Sequence, residues 1–218
     1  MPVYRSELTM KTLSILAAAL FIVGCESEID NKTAAEVAPA IPSEAATADA
    51  TPKGAAMPAG SLPLQGSSTI EWVGAKVTDD HTGGFKTLSG HAVVADGAIK
   101  AATVNIDVSS LYSDHPKLTK HLLSDDFFDV SKFTTATFMI TEVKAGEGDQ
   151  STVTGNLDLH GIQKSISFPA VVKTTESSAT ISADFTLLRK EFGMMYPGKS
   201  DNLIRDEVLV KGTLSFGT

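Results

Sequence analysis

From Ser67 onward, apolar and polar residues alternate with period two. Ala102, Val104, Ile106 and Val108 point one way and Thr103, Asn105, Asp107 and Ser109 the other. That is the pattern of a strand with one face buried and one solvated. Ile181, Ala183, Phe185 and Leu187 repeat it. So do Val208, Val210, Leu214 and Phe216, set between Glu207, Leu209, Lys211 and Ser215. Further strands are expected over roughly 68–78, 84–95, 133–143, 151–160 and 164–173. Asp96-Gly97, Gly146-Glu147-Gly148 and His160-Gly161 supply the turns between them. Eight antiparallel strands in hairpin succession predict an all-β domain closed into a barrel, which removes exposed sheet edges.

One segment breaks the period. Between the third and fourth strands, Leu118, His121 and Leu122 recur at helical spacing, with Pro116 in the first turn, where its missing N–H is harmless. Asp114 or Ser113 is the expected N-cap, and Ser124-Asp125-Asp126-Phe127-Phe128-Asp129 starts a second short turn. A helix at this point lies across one end of a barrel as a lid.

Ahead of the β-domain the composition changes twice. Met10-Lys11-Thr12 leads into an apolar run from Leu13 to Val23, which reads as a secretory signal over residues 1–24 and is too short to span a bilayer. Glu7 is out of place in the positive part of such a signal, so translation is expected to start at Met10. The run ends Ile22-Val23-Gly24-Cys25, which resembles the bacterial lipobox. That resemblance implies acylation of Cys25 and a lasting membrane anchor. Residues 25–66 are rich in Ala, Pro, Thr, Ser and Glu and are expected to form a flexible tether, with the β-domain over 67–218. Glu26, rather than Asp, follows the anchor. The expected location is therefore the periplasmic side of the envelope, with the outer membrane preferred.

A formal charge of −8 argues against a nucleic-acid partner, and a hydrophobic share of 42% is enough for a core. Cys25 is the one cysteine, so no disulfide staples the domain. His115 and His121 are six residues apart, on different faces of a helix, and with Asp114, Asp125 and Asp129 form no tight metal motif. No metal or other cofactor is expected. Nucleophile elbows, phosphate loops and dinucleotide fingerprints are missing from the sequence, so no enzyme activity or catalytic residue is assigned.

Several stretches, taken together and in order, resemble the YceI-like family of polyisoprenoid-binding envelope proteins. They are Ser68-Thr69-Ile70-Glu71-Trp72-Val73-Gly74, Gly83-Gly84-Phe85, and His121 through Val130. Gly155-Asn156-Leu157-Asp158-Leu159-His160-Gly161, Arg189-Lys190-Glu191-Phe192-Gly193 and Ile204-Arg205-Asp206-Glu207-Val208 complete the set. Phe133-Thr134 stands where the family has Tyr-Pro. The resemblance implies a lipocalin-like barrel whose apolar cavity holds an isoprenoid, a quinone or a similar long-chain lipid for transport or storage.

Trp72, Phe85, Phe127, Phe128, Phe138, Leu157, Phe192, Met194 and Met195 are the candidates to contact such a ligand, and plain core packing competes for each. Arg189 is a candidate for a lipid head group, although a structural ion pair with Asp206 is the favoured role. His160 reads as a turn residue whose ring satisfies local backbone groups. The alternative to a lipid carrier is a barrel filled by its own side chains that docks an envelope protein. A homodimer is left open.

Overall fold

The structure, a computed structural model, describes residues 27–42, 58 and 60–218. Cys25, the signal segment and the middle of the expected tether lie outside the described residues. Among these residues thirteen strands make one antiparallel sheet curled on itself. They are β1 (Glu36–Pro39), β2 (Leu62–Pro63), β3 (Thr69–Lys76), β4 (Asp79–Phe85), β5 (Leu88–Ala95), β6 (Ala98–Asp107) and β7 (Leu111–Ser113). After the helix α1 (Pro116–Leu122) come β8 (Thr135–Ala145), β9 (Gln150–Leu159), β10 (Ile162–Thr174), β11 (Ser178–Leu188), β12 (Gly198–Lys199) and β13 (Asn202–Gly217).

The wall runs β5-β6-β8-β9-β10-β11-β13-β3-β4. Its curl is closed by short pieces at its two ends. Leu62 pairs with Ala92 of β5 while Leu64 bridges to Phe216 of β13, so residues 62–64 tie the two strands together. At the opposite end β7 pairs with β4, Phe85 against Leu111. The inward faces are the apolar sets of the alternating pattern: Val104, Val153, Ile181 and Phe216 are all at most 2% exposed. The Asp96-Gly97 and His160-Gly161 turns have positive φ at both residues, which matches the right-handed twist of the strands they join.

The expected strand 84–95 is β5, and β4 precedes it over residues largely outside any expected strand. Asp79-Asp80-His81-Thr82-Gly83-Gly84 carries no apolar alternation, because β4 sits at the rim with both faces partly wet. The helix is where the spacing puts it, between the strands expected as third and fourth. Its N-cap is neither Asp114 nor Ser113 but His115, whose Nδ1 accepts the Lys117 amide at 3.3 Å. Asp114 is occupied elsewhere: its carboxylate accepts from the Thr82 amide and pairs with the His81 ring.

The expected tether is the largest departure. Residues 27–42 lie against the barrel. β10 pairs with β11 only over Val171–Thr174, and β1 fills the gap above, pairing Glu36–Pro39 with Lys164–Ser167. Ala35 and Thr33 exchange backbone bonds with Thr186 of β11 on its other side. Asn156, 1% exposed, holds the end of this strap through both halves of its amide, accepting from the Ile41 N–H and donating to the Ile41 carbonyl. Ile29 covers an apolar patch of Val73, Ala75 and Leu209 on the outer face. Leu209 had broken the polar side of its strand; the strap is the reason.

Candidate functional site

The barrel interior is not filled. A cavity of about 500 Å³ extends from the middle of the wall to the lid, inside the size range of small-ligand sites. Its walls are inward side chains of β3, β8, β10, β11 and β13, among them Ile70, Phe138, Ile166, Ile181 and Val210. Phe168 stacks on Phe185 and tilts against Phe138, so three rings from three strands form one aromatic wall.

Two glycines let aromatic rings occupy this wall. A Cβ on Gly83 would come within 2.4 Å of the Trp72 ring, so the indole lies flat over β4 only because that position has no side chain. Gly155 does the same for Phe138, whose ring would meet its Cβ at 2.7 Å. These approaches explain the Gly83-Gly84-Phe85 stretch and the Gly at the head of Gly155-Asn156-Leu157.

The lid closes one end. Leu118, His121 and Leu122 of α1 line the cavity together with Phe127 and Phe128 of the following turns. His121 stands edge-on to Phe127 and Tyr196, with ring centroids 5.1 and 5.0 Å apart, while Phe128 stands edge-on to Phe85 at 5.9 Å. The turn after the lid is pinned by Asp129, at φ 42°, whose carboxylate accepts from Lys132 and Ser131. These bonds, Lys132 foremost, hold its pKa below the usual carboxylate range.

Polar groups gather at the mouth. Lys76, His81, Lys199 and Asn202 line that part of the cavity. Deeper in, the Trp72 indole N–H is buried and has no hydrogen-bond partner among the described residues, a donor that costs free energy unless a guest accepts from it.

Seven of the nine apolar candidates line the cavity: Trp72, Phe85, Phe127, Phe128, Phe138, Leu157 and Met194. Two do not. Phe192 is fully buried in the packed core, at the end of a 3-10 turn. Met195 is 62% exposed, since Met194 takes the inward side of that loop.

Arg189 lines the cavity but makes no ion pair with Asp206. Its nitrogens donate to the carbonyls of Arg205, Met194 and Ile204, which ties the 193–197 loop to β13. Asp206 accepts the Lys190 amide at 2.9 Å instead. Burial pushes the guanidinium below its ordinary pKa, and the charge of Asp206 opposes this. The His160 ring bonds the Phe192 carbonyl, far along the chain rather than local, and Phe133 packs on it at 4.6 Å. Sequence reasoning missed Phe168, Ile181, Phe185 and the mouth lysines, although the first three sit at inward positions of readable strands. Among the described residues no three His, Cys, Asp or Glu gather as metal ligands.

The chain matches the YceI-like domain family over residues 64–216. A UPF0312 protein of Pseudomonas putida (strain W619) is 31% identical over 138 residues, covering 60% of this chain and 72% of that protein. A UPF0312 protein of Pseudomonas syringae pv. tomato is 30% identical with the same two coverages. Among solved structures, BcnA of Burkholderia cenocepacia superposes with a TM-score of 0.61 at 22% identity, over 68% of this chain and 95% of that one. A polyisoprenoid binding domain from Saccharophagus degradans gives 0.60 at 18% identity, over 72% and 98%. At these identities the two structures share the fold.

Proposed function

This chain belongs to the YceI-like domain family, and from that premise we propose that it is a lipid-binding envelope protein whose barrel holds one long apolar chain. One observation carries the reading: the interior is an apolar cavity of about 500 Å³ rather than a packed core. Interiors ordinarily close to crystal-like density. Empty apolar space of this size loses dispersion contacts on every lining side chain, and a hydrocarbon guest restores them. Each Å² of apolar surface that the guest hides from water is worth about 25 cal/mol. The similarity in fold to a polyisoprenoid binding domain supports the same reading.

The ligand class is a polyisoprenoid, a quinone or a related amphiphile, with the tail along Phe138, Phe168 and Phe185 and the head toward the polar mouth. Its role is storage or transport of the lipid within the envelope; no chemical step is assigned to the barrel. Acylation at Cys25 anchors the protein on the periplasmic side, with the outer membrane preferred. The filled barrel that docks a protein partner is disfavoured by the cavity.

The test is native mass spectrometry of the intact chain beside mass spectrometry of its organic extract. A discrete extra mass that leaves into solvent is expected. A bare polypeptide mass, unchanged after incubation with polyprenols and quinones, would overturn the reading.

A further inference from the structure

Four large apolar side chains among the described residues stand exposed: Ile41, Val77, Met195 and Leu203. Two of them, Val77 and Leu203, stand together at the mouth of the barrel. Val77, in the tip of the β3–β4 hairpin, is 74% exposed, and Leu203, the second residue of β13 beside the tip of the β12–β13 hairpin, 51%. The two tips form one rim, for the Val77 amide donates to the Leu203 carbonyl at 3.2 Å and the Thr78 hydroxyl to the Asn202 side chain. Their sequence neighbours Lys76 and Asn202 line the cavity, as does Lys199. The rim is therefore the edge of the opening. Met195 lies between Met194 and Tyr196, both also cavity-lining.

A second observation concerns the strap. The Ser27 hydroxyl donates to Asp80, the residue paired with Ala75 next to the β3–β4 turn. Glu28 then pairs with Lys211, Asp30 with Arg205 and Lys32 with Asp184. The described chain thus begins beside this rim, and Cys25, for which acylation is proposed, comes two residues before Ser27 in the sequence. An acyl chain there is joined to the rim through two residues, not through the whole of segment 25–66.

We propose that the cavity mouth docks directly on a phospholipid bilayer, with Val77, Leu203 and Met195 entering the headgroup layer. The contact is apolar in character. Lys76 and Lys199 have no ion-pair partner among the described residues, but Asp79 and Asp201 stand on the same turns. The local charge is therefore mixed, and net attraction to anionic lipid is not the driving force. Lysines in this setting lay their stems along apolar surface and keep the ammonium among the headgroups. Docked this way, a lipid tail passes from bilayer to cavity without crossing water. That consequence rests on the proposed lipid-binding reading; the docking rests only on the rim and on the acylation proposed for Cys25.

The experiment places an environment-sensitive fluorophore on Leu203→Cys or on Glu147→Cys, which lies in the β8–β9 turn at the far end of the barrel. The full chain is reconstituted with vesicles of phosphatidylethanolamine and a minor share of phosphatidylglycerol. Wild-type chain taken through the same labelling corrects for any reaction at Cys25. The label at position 203 is expected to shift to the blue and be quenched by nitroxide lipids, while the label at 147 does neither. A label at 203 that stays in water, or one at 147 that enters lipid, overturns the proposal. A lipid-free cavity in the mass spectra would sink the carrier reading and leave this one standing.

Discussion

Phe168 and Phe185 stack face to face across the seam between β10 and β11, with ring centroids 4.1 Å apart and planes within 10°. The two strands are hydrogen-bonded only over Val171–Thr174; beyond that they part to admit β1. The stack holds the inner side of the wall where the backbone ladder has stopped, and both rings face the cavity. Phe185→Ala is expected to cost about 3 kcal/mol, at the low end for such truncations because the site already borders open space. A double-mutant cycle with Phe168→Ala should give a coupling of about 1 kcal/mol. Denaturant titration measures both, and additive single effects would show that the stack contributes no more than its area.

Ala183 pairs with Gly212 across β11 and β13, and both border the cavity. Ala183→Phe puts a ring into that space without removing any contact. The expected result is a folded protein, destabilised by no more than about 3 kcal/mol, whose organic extract no longer contains the lipid. Wild-type lipid content in a folded variant would mean that the ligand lies elsewhere.

Trp72 is the one tryptophan of the chain, and its ring lines the cavity with the indole N–H unpartnered among the described residues. Its fluorescence therefore reports occupancy directly, and delipidation should shift and re-quench the emission. Trp72→Phe removes the unmet donor. It should change stability by no more than about 1 kcal/mol while accelerating loss of any guest whose head group accepts from the indole. Unchanged lipid release would show that the donor faces only hydrocarbon.

Asn156 is a buried residue whose amide replaces a strand partner for Ile41. Asn156→Ala should cost about 2 kcal/mol. Amide exchange at Val37 and Ala38 should speed up before the rest of the barrel changes. Exchange that stays slow there would show that the β1–β10 ladder holds the strap alone.

Acid should release the strap. A hydrogen bond from Lys211 lowers the pKa of Glu28, and one from Arg205 lowers that of Asp30. Because the folded values lie below the unfolded ones, the stabilisation is complete above the ordinary carboxylate range and disappears as pH falls through the folded values. Asp129 follows the same sign. The strap pairs are solvent-exposed, so added salt should weaken them at neutral pH as well. Limited proteolysis of residues 27–42 against pH checks this, and a pH-independent cleavage rate would refute it.

Period-two alternation made most of the wall legible. β6, β8, β9, β10, β11 and β13 fall where the inward apolar residues say, and the helical spacing of Leu118, His121 and Leu122 located the lid. β4 was hidden because a rim strand wet on both faces needs no apolar side. β1 was hidden for a different reason. Glu36-Val37-Ala38-Pro39 has no strand signal of its own, and becomes a strand because β10 offers it an unpaired edge. Val73, Ala75 and Leu209, apolar on a face that should be polar, were the local sign that something covered that surface.

The sequence by itself determined which side chains point inward, since side-chain direction in a strand is a local property that alternates residue by residue. Whether opposite walls meet is not local. It depends on how far the curl of the sheet sets them apart compared with the volume of the residues between, and only the tertiary structure decides that difference. The same limit separated Met194 from Met195 and Phe192 from Phe185: adjacent or equivalent in pattern, they were sorted into cavity, surface and core by the path of the backbone around the mouth.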